Sequence, residues 1–378
     1  MITQTWTYPY CPNLNEKIDW ETILSKYDCL QILETIPQSP IYHGEGNVWI
    51  HTKMVCEEMI QLTEWQALNE LDRSILFFAA LLHDIGKAPC TVINKGQITS
   101  HKHAVVGALM VRQLLMQEAW HQIPFELRER VVYLVRYHGL PLWFTGKRNP
   151  EKEILRAAQL INLKHLAILA EADLRGRICE GKEDLFFNIE LFKETAEKYD
   201  CLEQAYPFFS DAARFIYFQK EDGNRFYEPY EKDTFEVILM AGLPGAGKDT
   251  YLQNNLKDLP IISLDKIRKE LKISPKATQG KVIQTAKERA KVFLRKKEPF
   301  VWNATNISRK VRGPLVELFS TYGATVKIIY IEPNLKTLFA QNENREDIVP
   351  RNVLKRMMKR LELPTVMEAH QVEYVIKS

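Results

Sequence analysis

FEVILMAGLPGAGKDT, residues 235–250, decides how the second half of this 378-residue chain folds. Its opening, FEVILMAG (235–242), is a short apolar run of strand length. The remainder, GLPGAGKDT (242–250), spaces Gly242 and Lys248 as G-x-x-x-x-G-K, after a strand and before a helical segment. That context reads as a phosphate-binding loop. Gly242, Gly245, Ala246 and Gly247 let backbone N–H groups turn inward around the phosphates of ATP, helped by the helix N-terminus. Lys248 neutralises the migrating phosphoryl group. Most such loops follow the lysine with Ser or Thr, whereas this one has Asp249. A carboxylate there can bind Mg2+ directly or through water, and it adds negative charge beside the triphosphate. Thr250 is the alternative hydroxyl, or a helix cap.

Downstream, PIISLD (260–265), PFVWNATN (299–306) and ATVKIIYIE (324–332) repeat the strand pattern, with helical segments at 276–297 and 311–322 between them. Strand and helix alternating at this length imply right-handed crossovers and a parallel sheet. Upstream the period changes. Over 16–215, apolar residues recur every three or four positions, as in RSILFFAALLHDI, HAVVGALMVRQLLM and LRERVVYLVRYHG. The polar FQKEDGNRFYEPYEKDT separates the two patterns. The expected architecture is therefore an all-α domain over 1–217, a linker over 218–234 and an α/β domain over 235–378.

A composition of 46% hydrophobic and 26% charged residues is that of an ordinary globular protein. Cys11, Cys29, Cys56, Cys90, Cys179 and Cys201 lie far apart without a C-x-x-C pair, which reads as reduced thiols in a cytosolic protein. The N-terminus MITQTWTYPYCPNLNEK has no basic segment followed by an apolar core, and the longest apolar run, ILFFAALL (75–82), is too short to span a bilayer. A cytoplasmic protein without a membrane partner is expected. Charge is uneven: residues 236–378 hold 26 Lys+Arg against 15 Asp+Glu, a formal +11, which leaves −8 for the rest. A basic half invites a polyanion, although an ATP site needs cations too.

The segment ISLDKIR puts Asp265 where the second strand ends, at the edge of an open parallel sheet that holds ligands. Its carboxylate can take the proton of an attacking hydroxyl, or simply cap the next helix. Arg268, one turn on, can hold a phosphate of the acceptor. Together GLPGAGKDT, SLDKIR, WNATN and NENREDIVPRNVLKRM resemble the P-loop polynucleotide kinases, which phosphorylate 5′-hydroxyl ends, over 236–378. The resemblance implies Asp265 as general base, Arg268 on the acceptor nucleotide, and Arg345 with Arg351 in a lid over the ATP phosphates. That family often has Asp where this chain has Asn303. Thr305 and Asn306 lie nearby; Arg309 and Arg312 are either polyanion contacts or a solvated helix face.

The first half is notable for its histidines. His51 sits in WIHTKMV, His83 and Asp84 end FFAALLHDIGK, His103 opens HAVVGALM, His138 lies in VRYHGLP and Asp173 in LAEADLRGR. A charged Asp entering an apolar run is costly unless paired or bound to a metal. Imidazoles and carboxylates without sulfur suit Mn2+, Fe, Co2+, Ni2+ or Zn2+. Six such groups exceed one ion's needs, and two close ions can polarise a phosphate and activate water. The order H…HD…H…H…D resembles the HD-domain superfamily of metal-dependent phosphohydrolases across about 45–180. By that resemblance His51, His83, Asp84 and Asp173 bind metal directly, His103 and His138 complete a second site, and His101 competes with His103. Lys87, Arg175 and Arg177 would bind the scissile phosphate, and His43 would line the pocket.

The two motif sets in one chain resemble bacterial RNA end-healing proteins that fuse an HD phosphoesterase to a polynucleotide kinase. This implies removal of a 2′,3′-cyclic phosphate or 3′-phosphate, 5′-phosphorylation from ATP or another NTP, RNA or DNA ends as partners, a separate downstream ligase, and a homo-oligomer as one option. Two rivals are a nucleotide-metabolism enzyme with a small-molecule kinase, and an ATP-gated nucleotide sensor.

Overall fold

The computed structural model describes residues 6–117, 120, 122–230, 234–275 and 277–377. The chain forms two compact units that divide between Pro207 and Phe208.

The first unit is helical. Its central helix, Glu70–Leu82, is capped by Asn69, whose side chain accepts the Asp72 N–H at 2.9 Å, and it carries Glu70 and Asp72 in its first turn. Both features stabilise a helix N-terminus. From Ser74 to Leu82 every residue is buried, so the helix packs on all sides, against the helices Val48–Gln61, Phe125–Tyr137 and Leu163–Arg175. Each of its buried Ile, Leu and Phe side chains contributes about 1.5–3 kcal/mol by leaving water. The helix ends at the centre of the unit and delivers His83 and Asp84 there. Gly86 lets the following turn lie against the helix His103–Leu115: a β-carbon on it would stand 2.1 Å from the His103 carbonyl oxygen and 2.6 Å from the Gly107 nitrogen.

A buried ion pair holds two of the helices that frame the histidines. Arg112, on His103–Leu115, donates through Nε and Nη2 to Glu129 on Phe125–Tyr137 at 3.0 and 2.7 Å. Arg128 adds an Nε bond to the same carboxylate at 2.8 Å. Burial alone would raise the Glu129 carboxyl, but the two guanidiniums overcome that and hold it below its ordinary value. A small antiparallel hairpin, β1 (Val92–Asn94) and β2 (Gln97–Thr99), projects between the central helix and His103–Leu115 in sequence, with Val92 opposite Thr99.

The second unit is the expected parallel α/β structure. Strands β3 (Glu236–Ala241), β4 (Ile261–Ser263), β5 (Phe300–Asn303), β6 (Thr325–Pro333) and β7 (Gln371–Lys377) form one sheet in the order β4-β5-β3-β6-β7, every pair parallel. The intervening helices Gly280–Lys296 and Arg309–Thr321 fall close to the segments read from periodicity. The four strands read from sequence are present, and β7 is a fifth. It lies at the sheet edge, half-buried with Gln371 and Ile376 exposed, so it gives a weak apolar signal.

The compact units divide earlier than residue 217. The helix Asp211–Gln219 belongs to the second unit: Arg214 Nε donates to the Val366 carbonyl at 3.0 Å, and the Phe215 and His370 rings lie 4.2 Å apart. Its apolar face, Ala213, Phe215, Tyr217 and Phe218, is buried there. Periodicity reveals such a face but not which core receives it. All six cysteines are unpaired, and among the described residues no helix is long and apolar enough to cross a membrane.

Candidate metal centre and phosphate-binding loop

The helix Val48–Gln61, capped by Asn47, carries His51; Leu163–Arg175, capped by Asn162, carries Asp173; the central helix delivers His83 and Asp84. All four are buried, with His51, His83 and Asp173 fully inaccessible. They converge tightly. His51 Nε2 lies 3.1 Å from Asp173 Oδ1 and 3.7 Å from Asp84 Oδ2, while His83 Nε2 lies 3.3 Å from Asp84 Oδ2. The other oxygen of Asp84, Oδ1, stands 3.4 Å from His103 Nε2 and 3.9 Å from His138 Nε2. Asp84 thus faces two sets of nitrogens, one with each oxygen.

Each ring is oriented from behind. Nδ1 of His83, His103 and His138 meets the carbonyls of Ala80, Ser100 and Val135 at 2.7, 2.9 and 2.8 Å. Nδ1 of His51 meets Glu45 Oε1 at 2.9 Å. Carbonyls and carboxylates only accept, so each Nδ1 is placed to donate its proton, and a neutral ring then turns the lone pair of its Nε2 to the centre. The facing oxygens also offer lone pairs, and buried His83 Nε2 and Asp84 Oδ1 have no hydrogen-bond partner. Lone pairs gathered this closely suit a cation. Among the described residues three groups satisfy ligand spacing, His43–Glu45–His51, His51–His83–Asp173 and Asp84–His103–His138, with all ligand atoms of each group within 4.8 Å of one another; the last two are the ones that meet at Asp84 and Asp173. Burial, with His83 and His103 as neighbours, pushes His138 down to about 3, which keeps it neutral as a ligand must be. Burial opposes ionisation of Asp84 and Asp173, yet the Lys87 and Arg177 cations hold both well below the carboxylate range.

Lys87 Nζ sits 2.7 Å from Asp84 Oδ2 and donates to Gln38 Oε1 at 2.6 Å. Arg177 grips Asp173 with Nη2 at 2.5 Å and Nε at 3.1 Å. Arg175 does otherwise: it is exposed and pairs with Glu171 one turn back at 2.7 Å. Its position i+4 from Glu171 turns it off the pocket, so it is not beside the cluster as its motif suggested. His43 lines the cavity with its Nδ1 on Glu45 at 2.8 Å, and burial pushes it down to about 4. His103, and not His101, meets Asp84; His101 is exposed at the outer cavity wall. The sequence reading passed over Glu45, whose carboxylate orients both His43 and His51. Its signal is a lone acid between two glycines in HGEGN (43–47).

In the second unit, parallel strands bring their C-terminal ends to one edge. The loop after β3 has Gly242, Gly245 and Gly247 at φ +140°, +81° and +87°, and a β-carbon on Gly242 would stand 2.6 Å from the Ile331 carbonyl oxygen. Only glycine fits such a cradle. Lys248 Nζ folds across it onto the carbonyls of Gly242 and Leu243, both at 2.9 Å, and burial pushes its ammonium down to about 8. Gly247 occupies the cap position of the helix Lys248–Asn255, and Thr250 is exposed in its first turn. Asp249 Oδ1 accepts from Asn303 Nδ2 at 2.7 Å, and the other amide atom, Asn303 Oδ1, is buried without a partner. A P-loop site usually pairs a hydroxyl with a carboxylate around Mg2+. Here the carboxylate stands on the loop and the neutral group on the strand, so one negative charge is retained and the donor set still fits.

Ser263 caps the helix Leu264–Glu270, which leaves Asp265 free of that duty. The Asp265 side chain is 59% exposed, paired with Arg268 and 3.7 Å from Arg345 Nη2. Arg351 instead stacks over Phe339 at 4.7 Å. Arg312 overturns its surface reading: it is fully buried, bound to Glu368 at 2.8 and 3.0 Å and to the carbonyls of Asn306 and Glu362. No polyanion can reach it, because the helix Arg309–Thr321 turns that face inward; Arg309 stays exposed. The Thr305 carbonyl accepts the Gly242 N–H at 2.9 Å, and Asn306 Nδ2 donates to the Met240 carbonyl at 2.7 Å, so both brace the loop.

Comparison with known proteins agrees with this division. The HD domain family matches residues 48–172, and the AAA domain family matches residues 237–364. The chain therefore joins a helical HD domain to a P-loop α/β domain of kinase-like fold. It is similar to a multifunctional CCA protein of Pasteurella multocida, 28% identical over 39% of this chain and 34% of that one. One from Xanthomonas campestris pv. campestris is 30% identical over 41% and 36%. The chain thus spans about a third of the length of these relatives. A solved structure of a candidate kinase from Chloroflexus aurantiacus is 16% identical over 39% of this chain and 87% of that one, with a TM-score of 0.33.

Proposed function

We propose that this chain heals broken RNA ends: the HD unit removes a 2′,3′-cyclic phosphate or 3′-phosphate, and the P-loop unit phosphorylates the 5′-hydroxyl. The observation that carries the reading is one chain holding a buried two-set His/Asp cluster under a cationic pocket and a lysine-bearing phosphate cradle near an Asp–Arg pair. One set of chemistry takes phosphate off, and the other puts it on. The likeness to multifunctional CCA proteins agrees with a nucleic-acid substrate.

In the HD unit, His51, His83, Asp84 and Asp173 would hold one divalent ion, and His103 and His138 would hold a second with Asp84 between them. Bound there, Mn2+, Ni2+ or Co2+ supplies Lewis acidity and lowers the pKa of water. Lys87 and Arg177 hold the non-bridging phosphate oxygens. Water supplies an oxygen to phosphorus, the P–O2′ bond breaks, and the 2′-oxygen leaves with a proton. A second hydrolysis releases inorganic phosphate and a 3′-hydroxyl.

In the P-loop unit, the glycine cradle and Lys248 hold ATP, with Asp249 and Asn303 toward its Mg2+. Asp265 accepts the proton of the 5′-hydroxyl, that oxygen attacks the γ-phosphorus, and ADP leaves. Arg268 positions the acceptor phosphate, and Arg345 neutralises charge on the transferring group. Incubating the protein with ATP, Mg2+, Mn2+ and an RNA bearing a 5′-hydroxyl and a 2′,3′-cyclic phosphate tests the reading. Mass spectrometry should find a 5′-phosphate gained and the 3′ phosphate lost. Unchanged ends with mononucleotides consumed would sink it.

A further inference from the structure

The cavity above the metal cluster is about 670 Å3. That lies within the range of sites that take a whole small molecule, whereas a phosphate needs only the floor, where Asp84, Lys87, His138 and Arg177 stand. The rest of the lining is of another character. Trp143 and Tyr42, from separate segments, both line the cavity while remaining 47% and 57% exposed. Trp143 ends the short helix Leu140–Trp143, whose Leu140 and Leu142 are buried, so its backbone is anchored. Its indole lies across Gly139, where a β-carbon would meet Cδ1 at 3.6 Å, and Gly139 follows the cluster residue His138. The large aromatic face is therefore held open to the cavity next to the phosphate floor. Arg136 and Lys147 also line this cavity, and among the described lining residues the one acid other than Asp84 on the floor, Glu153, is paired with Arg156 at 3.4 Å.

We infer that Trp143, with Tyr42, is a stacking site for the terminal nucleobase of the end whose phosphate occupies the floor, while Arg136 and Lys147 meet the phosphate linking it to the preceding nucleotide. The inference rests on the end-healing reading of the HD unit and adds to it what the pocket recognises beyond phosphate. Every base has a π-face, so a stacking platform accepts any 3′-terminal nucleotide. It favours a nucleotide end over free phosphate or a bare sugar phosphate. The exposed indole costs the folded protein little, because its backbone is already anchored, and the bound base covers it.

The test uses the full-length protein loaded with Mn2+ and two RNAs ending in a 2′,3′-cyclic phosphate, identical except that one lacks the terminal base. Trp143→Ala should raise KM for the base-bearing end roughly 5–150-fold, the range set by one base stack, with kcat retained. On the abasic end the ratio of wild type to variant should fall toward one. Trp143→Phe should recover most of the loss, and Tyr42→Ala should show the same pattern more weakly. Equal losses on both RNAs would mean a structural role, and no loss on either would mean that no base stacks there; each overturns the inference. Wild-type protein that hydrolyses neither cyclic phosphate refutes the end-healing reading itself, a failure distinct from an active wild type matched by Trp143→Ala.

Discussion

The two sites are built to opposite standards of completeness. In the HD unit His51, His83 and Asp173 are fully buried, and every ring has a partner behind it before any ligand arrives. In the P-loop unit it is the cradle that is closely packed, with no room for a β-carbon on Gly242 beside the Ile331 carbonyl and with Asn306 bonded to the Met240 carbonyl. Asp265 is 59% exposed on its side chain, and the segment carrying Arg345 is tied back through surface pairs of Lys269 with Glu346 and Asp347 at 2.8 and 3.0 Å. A cation site can be assembled by the core because its ligands are short side chains on packed helices. On the proposed function, the second site has to admit two large substrates and then close, which accounts for Asp265 and Arg345 standing at the surface. On that reading, pre-organisation belongs to the first site and follows binding at the second.

That contrast can be broken most sharply by exchanging losses. Asp84→Ala should abolish phosphoesterase activity while kinase activity persists, and Asp265→Asn should cost the kinase roughly 10²–10⁴-fold while phosphoesterase persists. End-specific assays on the same preparation read both, and loss of both activities in either variant would contradict separate sites. Next in size is stability. Arg112→Ala strands the buried Glu129 carboxylate and should destabilise the HD unit by about 3–5 kcal/mol, seen as a lower first unfolding transition with the second unit unmoved. Glu129 has a folded pKa below its ordinary value of 4.5. Its contribution is thus complete above that pH and is lost as pH falls through the depressed value. Glu129→Gln should flatten the acid side of that transition's pH dependence.

Three smaller effects sharpen the comparison. Asp249→Thr and Asn303→Asp should each weaken Mg2+-dependent ATP binding, by about 10–100-fold, one by removing a carboxylate and the other by adding one. The double variant should recover most of the loss, as calorimetry with and without Mg2+ would read. Additive losses would mean that the 2.7 Å pair does not share one charge. Glu45→Gln should lower metal affinity by about 10–100-fold, because an amide no longer holds the protonated Nδ1 of His51 as a carboxylate does; equilibrium titration with Mn2+ reads it. Last, Arg175→Ala should leave phosphoesterase kcat/KM unchanged where Arg177→Ala lowers it.

Local chemistry determined much of this molecule from its sequence. The glycines of the phosphate loop and the change of apolar period between the two halves each act within a few residues, so a linear reading finds them. The six His and Asp positions were legible for the same reason: ionisable groups at the ends of apolar helices stand out against their neighbours. Distant pairing was decided only by the tertiary structure. His51 meets Asp173 from 122 residues away in sequence, and Asn303 turns its amide to Asp249 beside the glycine loop. Arg312 and Arg309 carry the same charge on one helix, yet packing buries the first on Glu368 and exposes the second. Asp211–Gln219 has an apolar face that either core would accept, and it packs where Phe215 meets His370. Residue type sets what a side chain can do, but its partner depends on which surfaces the whole chain brings together, and no short window of sequence contains that.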